Sequence, residues 1–303
     1  MADSFHPEDV TGEGHEVEAR LAVDCRNRHG EGVLWNPRDR RLWWSDIHGE
    51  ALWWHDPALG QSGSIALPGR LSAFAPRAAG GWIMGFAERV ELWSEDLTRE
   101  QVIHAFEPNQ PGTRLNDGRT DREGRFVVGG MNEASGEDDS SVIRVNADLT
   151  VETLITGVAC ANSTCFSPDG GVMYFADTPE RRIRAYPYGA SGLGPARLFA
   201  DMADEPGLPD GSCVDRDGGV WNAEWEGGQV VRFDAGGRIT HRVALPVPKA
   251  TCCAFGGEDL ATLFITTSRL MSGAEALARA PLSGALFAIR PGVQGVEDTP
   301  FAG

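Results

Sequence analysis

The sequence has little positive charge and no long apolar segment. No run of about 18 apolar residues occurs, which argues against a transmembrane helix. Lysine and arginine number 27 against 44 aspartate and glutamate, so the net charge at pH 7 is −17. Nucleic acids and anionic membranes are bound by basic surfaces. The charge balance therefore argues against both as partners.

The first 20 residues lack the apolar core of a secretory signal peptide. They are acidic and rich in polar residues, reading MADSFHPEDVTGEGHEVEAR. We expect residues 1–20 to be a flexible acidic tail and residues 21–303 to form a single domain. Without a secretory signal, we expect the protein to be cytoplasmic.

The cysteines lack the spacing of a zinc ribbon or of a disulfide framework. The six residues are Cys25, Cys160, Cys165, Cys213, Cys252 and Cys253. We expect them to be reduced, small and mostly buried. A nucleophilic role for the pair Cys252-Cys253 is disfavoured, because no histidine is positioned in the sequence as its partner.

The sequence does contain an internal repeat. Six segments share one plan: a short strand, a turn with Asp or Gly, and a second strand with aromatic residues. The segments start at Glu31, Ser72, Asn116, Asn162, Asp210 and Cys252. The spacing of about 40–48 residues is that of a four-stranded propeller blade. A two-sheet sandwich also has many short strands, but six evenly spaced copies favour an all-β fold, a six-bladed β-propeller. The one helical pattern is GAEALARA, residues 273–280.

A propeller brings equivalent positions of its repeats to one axis, because the innermost strand of each blade lines the central channel. Glu31, Asn162 and Asp210 would then present hard oxygen atoms to a common centre. Such atoms suit Ca²⁺, Mg²⁺ or Mn²⁺, and carboxylates also hold Zn²⁺. Taken singly, an Asp before Gly is usually a turn residue and Glu31 is a strand-edge charge. Convergence of the three predicts a site for one divalent cation on the axis.

Five sequence blocks, in order, resemble those of the gluconolactonase/regucalcin (senescence marker protein) family. The blocks are GEGVLW, RLNDGRTDREGRFVVGGM, NSTCFSPDG, LPDGSCVDRDGGVW and KATCCAFGGEDLATLFITTSR, and the resemblance covers about residues 23–292. It implies a six-bladed propeller with one axial divalent cation and hydrolysis of sugar-acid lactones. By motif, the implied metal ligands are Glu31, Asn162 and Asp210. Where the family usually has Asn-Gly, this chain has Asn162-Ser163, which alters the expected pocket shape.

The same resemblance implies substrate-binding residues in the third block. Arg114 and Asn116 would contact substrate hydroxyls or the lactone oxygen, with Asp117 alongside and Glu133 contacting the sugar. A fixed guanidinium fork suits vicinal oxygens of a polyol, although an ion pair of Arg114 with Asp117 or Asp121 is the structural alternative. The usual GTM of this block is replaced by Gly129-Gly130-Met131, so the identity of the sugar stays open.

A metal-dependent sugar lactonase is therefore the leading functional hypothesis, acting on a pentono- or hexonolactone in carbohydrate catabolism. Asp210 is the expected general base, acting on a water molecule near the cation. Two alternatives remain open: an organophosphate or aryl-ester hydrolase of the same fold, and a non-catalytic calcium- or sugar-binding propeller. The polar set around Arg114 favours a polyol over an apolar ester, and turnover of lactones separates an enzyme from a binding protein.

Overall fold

The structure, a computed structural model, describes residues 16–303. Its first strand begins at Glu16, inside the range predicted to be the tail, and residues 1–15 lie outside the described part. The division into a tail and one domain remains a prediction. The strands in chain order are β1 (Glu16–Glu18), β2 (Arg20–Val23), β3 (Gly30–Asn36), β4 (Arg41–Asp46), β5 (Ala51–Asp56), β6 (Gln61–Ala66), β7 (Leu71–Pro76), β8 (Trp82–Phe86), β9 (Arg89–Trp93), β10 (Arg99–Ala105), β11 (Thr113–Thr120), β12 (Phe126–Asn132), β13 (Ser140–Val145), β14 (Val151–Val158), β15 (Ala161–Phe166), β16 (Val172–Asp177), β17 (Arg182–Gly189), β18 (Gly192–Leu193), β19 (Arg197–Asp201), β20 (Leu208–Val214), β21 (Val220–Trp225), β22 (Gln229–Phe233), β23 (Ile239–Ala244), β24 (Ala250–Gly256), β25 (Thr262–Thr267) and β26 (Leu286–Ile289).

These strands form six sheets, one for each sequence repeat, and the strands of each repeat pair in antiparallel order. Blade 1 is β3–β6, blade 2 is β7–β10, and blade 3 is β11–β14. Blade 4 is β15–β17 with β19 and β18, blade 5 is β20–β23, and blade 6 is β24–β26. Strand β2, from the N-terminal part of the chain, completes blade 6 as its outermost strand, and β1 pairs in parallel with β23. The six-bladed propeller prediction is confirmed, and each repeat start lies on an innermost strand.

Burial explains why the innermost strands lack the alternating pattern of surface strands. Every residue of Leu71–Pro76 and of Ala250–Gly256 is buried, whereas Arg99–Ala105 on the outside of blade 2 is mostly exposed. Strands covered on both faces are expected to be continuously apolar or small. Aromatic residues fill the space between blades, as Trp43 of blade 1 does against Trp82 of blade 2, with ring centroids 5.2 Å apart. Trp43 therefore contributes to the packing between these two blades.

Helical structure is short. A 3₁₀ turn covers Thr178–Glu180, and one α-helix, α1, covers Ala274–Arg279 within the predicted range. Among residues 16–303, no helix has the length and apolar character needed to cross a membrane.

Each innermost strand carries an irregularity at the same level. The ladder register shifts between Glu31 and Leu34, Leu71 and Ala73, Leu115 and Asp117, Asn162 and Cys165, Pro209 and Ser212, and Ala250 and Cys253. A β-bulge re-aims the side chains of the strand that contains it. The backbone is left-handed at Ser163, with φ +57°, and at Gly32, with φ +61°. The six bulges turn polar side chains towards one end of the channel, called the open end below.

The C-terminal segment crosses the other end of the channel, called the closed end. It forms isolated bridges from Gly295 to Asp215 of blade 5 and from Phe301 to Arg77 beside blade 2. Between them, Asp298 pairs with Arg119 of blade 3 at 2.7 Å. This crossing leaves the bulged end as the approach to the axis.

Candidate functional site

Three carboxylates are buried together at the open end. The side chains of Glu31, Asp117 and Asp210 belong to residues that are 6–8% exposed. Burial, and then repulsion from Asp117, raises the pKa of Glu31 to about 8. Burial, followed by repulsion from Glu31 and Asp117, raises the pKa of Asp210 well above its usual range. The charge of Asp117 acts on both Glu31 and Asp210, so the three carboxylates lie within electrostatic reach of one another.

These carboxylates have few hydrogen-bond donors. One oxygen of Glu31 accepts from the N–H of Gly32 at 3.2 Å, and the other lies 4.0 Å from Nε2 of His29. Asp117 accepts from the N–H of Thr164 at 2.8 Å, which joins blades 3 and 4. The backbone oxygen of Asp210 is occupied by Ser163 Oγ at 2.8 Å, while its carboxylate stays towards the axis. Buried carboxylates with so few donors are compensated well by a cation.

Asn162 presents its amide oxygen to the same centre. Its Nδ2 donates to Thr178 Oγ1 at 2.8 Å, and that hydroxyl donates to Pro209 O at 3.0 Å. Because Thr178 already donates its only proton, it must accept from Asn162, which fixes the orientation of the amide. The remaining oxygen lies 3.4 Å from Nδ2 of Asn116, on the inner side of the ring.

The donor set fits a hard cation. Within residues 16–303, no three His, Cys, Asp or Glu side chains are arranged as a metal site, so a site here depends on an amide oxygen as well. Glu31, Asp210 and Asn162 supply two carboxylates and one amide, the ligand types that Ca²⁺, Mg²⁺ and Mn²⁺ prefer. The axial metal site remains a prediction that these residues fit.

Arg114 is buried, 3% exposed, and its contacts are fixed. Its Nε donates to Glu133 at 2.9 Å, and one terminal nitrogen donates to Asn116 Oδ1 at 2.8 Å and to Leu115 O at 2.9 Å. The alternative of an ion pair with Asp117 or Asp121 is wrong, because Glu133 is the partner of Arg114 and Asp121 pairs with Arg125.

Asn116 occupies the bulge between Leu115 and Asp117, and this explains its inward direction. Its Nδ2 donates to Ala161 O at 3.0 Å in the neighbouring blade. Since its amide oxygen already accepts from Arg114, Asn116 is held by both of its polar atoms.

Glu133, one residue beyond β12, contacts three basic side chains at the open end. Arg70 contacts one oxygen at 2.7 Å, and Arg114 and His48 contact the other at 2.9 and 3.5 Å. The contact with His48, and then the two arginines, hold its pKa well below the usual range. Its side chain is 35% exposed, so an ionised acceptor faces the pocket mouth.

Four further residues of this end carry no repeat signal in the sequence: His29, His48, Trp225 and Lys249. The ring of His29 lies 5.7 Å from the rings of both His48 and Trp225, measured between centroids. The ammonium of Lys249 lies 4.9 Å from the centre of the Trp225 ring. Only the position of His29, two residues before Glu31, is a signal that could have been used.

The cysteine pair lies on the innermost strand of blade 6. All six cysteines are free, and every one but Cys160 is buried. Burial raises the pKa of Cys252 and of Cys253 well above the normal thiol range, so both are uncharged. Buried thiols of this kind are inert, which agrees with the expectation that neither is a nucleophile.

Residues 29–269 match the family model described as "SMP-30/Gluconolactonase/LRE-like region". The chain is 40% identical over 298 residues to an L-arabinolactonase of Azospirillum brasilense, covering 94% of this chain and 96% of that protein. It is 35% identical over 279 residues to a 6-deoxy-6-sulfogluconolactonase of Pseudomonas putida, covering 90% and 95%. A crystal structure described as a calcium-binding protein, regucalcin, from Agrobacterium tumefaciens superposes with a TM-score of 0.90 at 29% identity, covering 95% of this chain and 99% of that one.

Proposed function

Because the chain belongs to the SMP-30/gluconolactonase/LRE-like family, we propose that it hydrolyses sugar-acid lactones to the corresponding aldonic acids with the help of one divalent cation. The observation that carries the proposal is the ring at the open end. Buried, mutually repelling Glu31 and Asp210 lie beside an oriented amide and a fixed arginine. Pentonolactones and hexonolactones are the substrate class, since relatives are named for both kinds of sugar.

Glu31, Asn162 and Asp210 would hold the cation. When bound, a divalent cation supplies Lewis acidity, which polarises an ester carbonyl and makes nearby water more acidic. Thr178 keeps the amide of Asn162 in the orientation that presents oxygen, and Ser163 holds the backbone of Asp210 at the bulge. Orientation of ligands by such neighbouring groups is the usual way a metal site is preorganised.

Arg114, Asn116 and Glu133 form the substrate-binding wall. The second terminal nitrogen of Arg114 donates to substrate hydroxyls. The partly exposed carboxylate of Glu133 accepts from them. Asp117 keeps the inner strands of blades 3 and 4 in contact through Thr164 and adds negative charge beneath the wall.

Asp210 is the proposed general base that removes a proton from the attacking water. Its carboxylate lies in the buried centre, and its ordinary donors are reduced to a single backbone contact with Gly211. The water oxygen bonds to the carbonyl carbon of the lactone as Asp210 accepts the proton of that water. The lactone C–O bond then breaks, and the proton passes to the leaving alkoxide.

The test is acid release from a panel of aldonolactones in the presence of Ca²⁺, Mg²⁺, Mn²⁺ or Zn²⁺. We expect turnover of at least one pentono- or hexonolactone and its loss in Asp210→Asn. An aryl ester or phosphotriester cleaved faster than every lactone would favour the esterase alternative.

The regucalcin structure described as calcium-binding favours a second candidate, a calcium-binding protein. Calcium binding without turnover of any lactone would support that candidate and refute the enzyme.

A further inference from the structure

The backbone of His29 is fixed just before the innermost strand of blade 1. Its N–H donates to Asp46 Oδ1 at 2.9 Å, and its C=O accepts from Ile47 N at 2.9 Å. A bridge to Ser268 ties the same residue to blade 6. His29 is therefore held by two blades before its side chain makes any contact.

The imidazole ring is fixed as well. Its Nδ1 lies 2.9 Å from Ser268 Oγ, and that hydroxyl also bonds Arg28 O at 3.1 Å and Leu270 N at 2.9 Å. Trp225 stands at 84° to the ring and is covered by the ammonium of Lys249. These contacts leave one nitrogen, Nε2, without a hydrogen bond among residues 16–303, and Nε2 is directed towards Glu31 at 4.0 Å.

The free nitrogen extends the substrate-binding wall. His48 packs against His29 on one side and contacts Glu133 on the other, so the two imidazoles connect Glu133 of the wall to Glu31. A gap of 4.0 Å is too long for a hydrogen bond, so Nε2 is not bonded to Glu31 and is left to bind a third group.

We propose that Nε2 of His29 binds a hydroxyl group of the lactone, which makes His29 a specificity-determining residue of this site. The inference rests on the proposed function. Because Ser268 Oγ donates its proton to Arg28 O, Nδ1 of His29 must donate to Ser268, which leaves Nε2 as an acceptor for the hydroxyl proton. The ring is also 7% exposed and rigidly held, which reduces the entropy lost when substrate binds.

Two substitutions separate the two ring nitrogens. His29→Asn keeps a polar atom near Ser268 but has none near the Nε2 position, whereas His29→Gln places an amide near the Nε2 position. We expect His29→Asn to lower kcat/KM on a hydroxylated lactone about 10-fold, mainly through KM, because one hydrogen bond to substrate is lost. We expect His29→Gln to recover part of that loss.

A lactone that carries no hydroxyl groups is the decisive substrate. On δ-valerolactone, His29→Asn and the wild type should have the same kcat/KM, because the hydroxyl is absent. Calorimetric binding of the aldonic acid product should weaken in His29→Asn by a factor similar to the change in KM.

The matched control is His55, whose Nδ1 lies 2.9 Å from Ser62 Oγ between the outer strands of blade 1. His55→Asn removes the same kind of ring from the same kind of pair, and both kinetics and product binding should stay unchanged. Thermal unfolding of all variants shows which of them are folded.

Equal losses on hydroxylated and unsubstituted lactones, or no loss on either, would overturn the assignment of His29 while leaving the lactonase intact. A wild-type protein that hydrolyses no lactone would instead overturn the proposed function and this inference with it.

Discussion

Buried acids at the two ends of the channel have opposite surroundings. At the closed end, Asp215 accepts from Arg232 Nε at 2.6 Å, from Trp221 Nε1 at 2.8 Å and from Gly219 N at 2.8 Å. At the open end, Glu31 and Asp210 are also buried but experience the negative charge of Asp117 in place of an arginine partner. A paired carboxylate stabilises the fold around it, whereas charges that repel one another cost stability. The difference separates acids that stabilise the blades from acids placed to hold a cation.

The largest expected effect comes from replacing one buried aspartate by asparagine at each end of the channel. Asp210→Asn should lower kcat about 10³-fold or more, because a base and a cation ligand are lost together. Without added metal it should not lower Tm, because it removes repulsion. Asp215→Asn leaves Arg232 buried without its partner and should cost about 3–5 kcal/mol of stability, with kcat of the folded fraction retained. Lactone turnover and chemical denaturation of both variants measure this contrast.

The comparison fails if Asp210→Asn unfolds the protein in metal-free buffer. It also fails if Asp215→Asn abolishes turnover without a loss of stability.

The sequence was sufficient for the repeat and for the six-bladed propeller. Repeat starts such as Glu31 and Asp210 recur at blade spacing, and propeller geometry then brings them together. The bulges were not predictable, because a register shift depends on pairing with the next strand and on local twist. Contacts of Glu133 with Arg70 and His48 join three blades, and no local pattern encodes such a contact. His29 was missed for the same reason.

The comparison of the two ends of the channel can also be tested by measuring the unfolding free energy with and without a divalent cation. A divalent cation at 100 times its Kd should raise the unfolding free energy of the wild type by about 2.7 kcal/mol. Glu31→Gln removes one of the two charged ligands and should lose most of that increase. Thermal shift in a metal titration measures both proteins after treatment with a chelator.

Glu91 provides the control, since it is fully buried in blade 2 and paired with Arg89. Glu91→Gln should lower the starting stability and keep the cation-dependent increase. An unchanged increase in Glu31→Gln would remove Glu31 from the site.

Arginines at the two ends should also differ. Arg114 is fixed to Glu133 and Asn116 by separate nitrogens, and Lys cannot reproduce that planar arrangement. Arg114→Lys should raise KM about 10-fold with a smaller change in kcat. Arg125→Lys, at the closed-end pair with Asp121, should leave KM unchanged and lower Tm instead. A similar KM for both variants would argue that Arg114 supports the fold alone.

The smallest effect is expected from Glu224, at the end of β21 on the open side. Its Oε1 is buried without a hydrogen-bond partner among residues 16–303, and its other oxygen accepts from Gln229 at 3.0 Å. Burial, opposed by Gln229 and assisted by repulsion from Glu205, raises its pKa from 4.5 to about 7. The folded state thus binds this proton more tightly than the unfolded state, so its contribution to stability is greatest below pH 4.5 and is lost as the pH rises to 7.

The neighbouring Glu205 titrates in the opposite sense, since the hydrogen bond from Arg242 lowers its pKa and favours its charged form. Glu31 and Asp210 titrate in the same sense as Glu224 in both proteins, so we expect the fall in unfolding free energy from pH 4.5 to pH 7 to be about 1 kcal/mol smaller in Glu224→Gln than in the wild type. Urea denaturation of the wild type and of Glu224→Gln across that range measures the contribution of Glu224. Asp215→Asn, at the closed end, is measured in the same way for comparison. An equal fall in the wild type and in Glu224→Gln would show that Glu224 does not contribute to the pH dependence of stability.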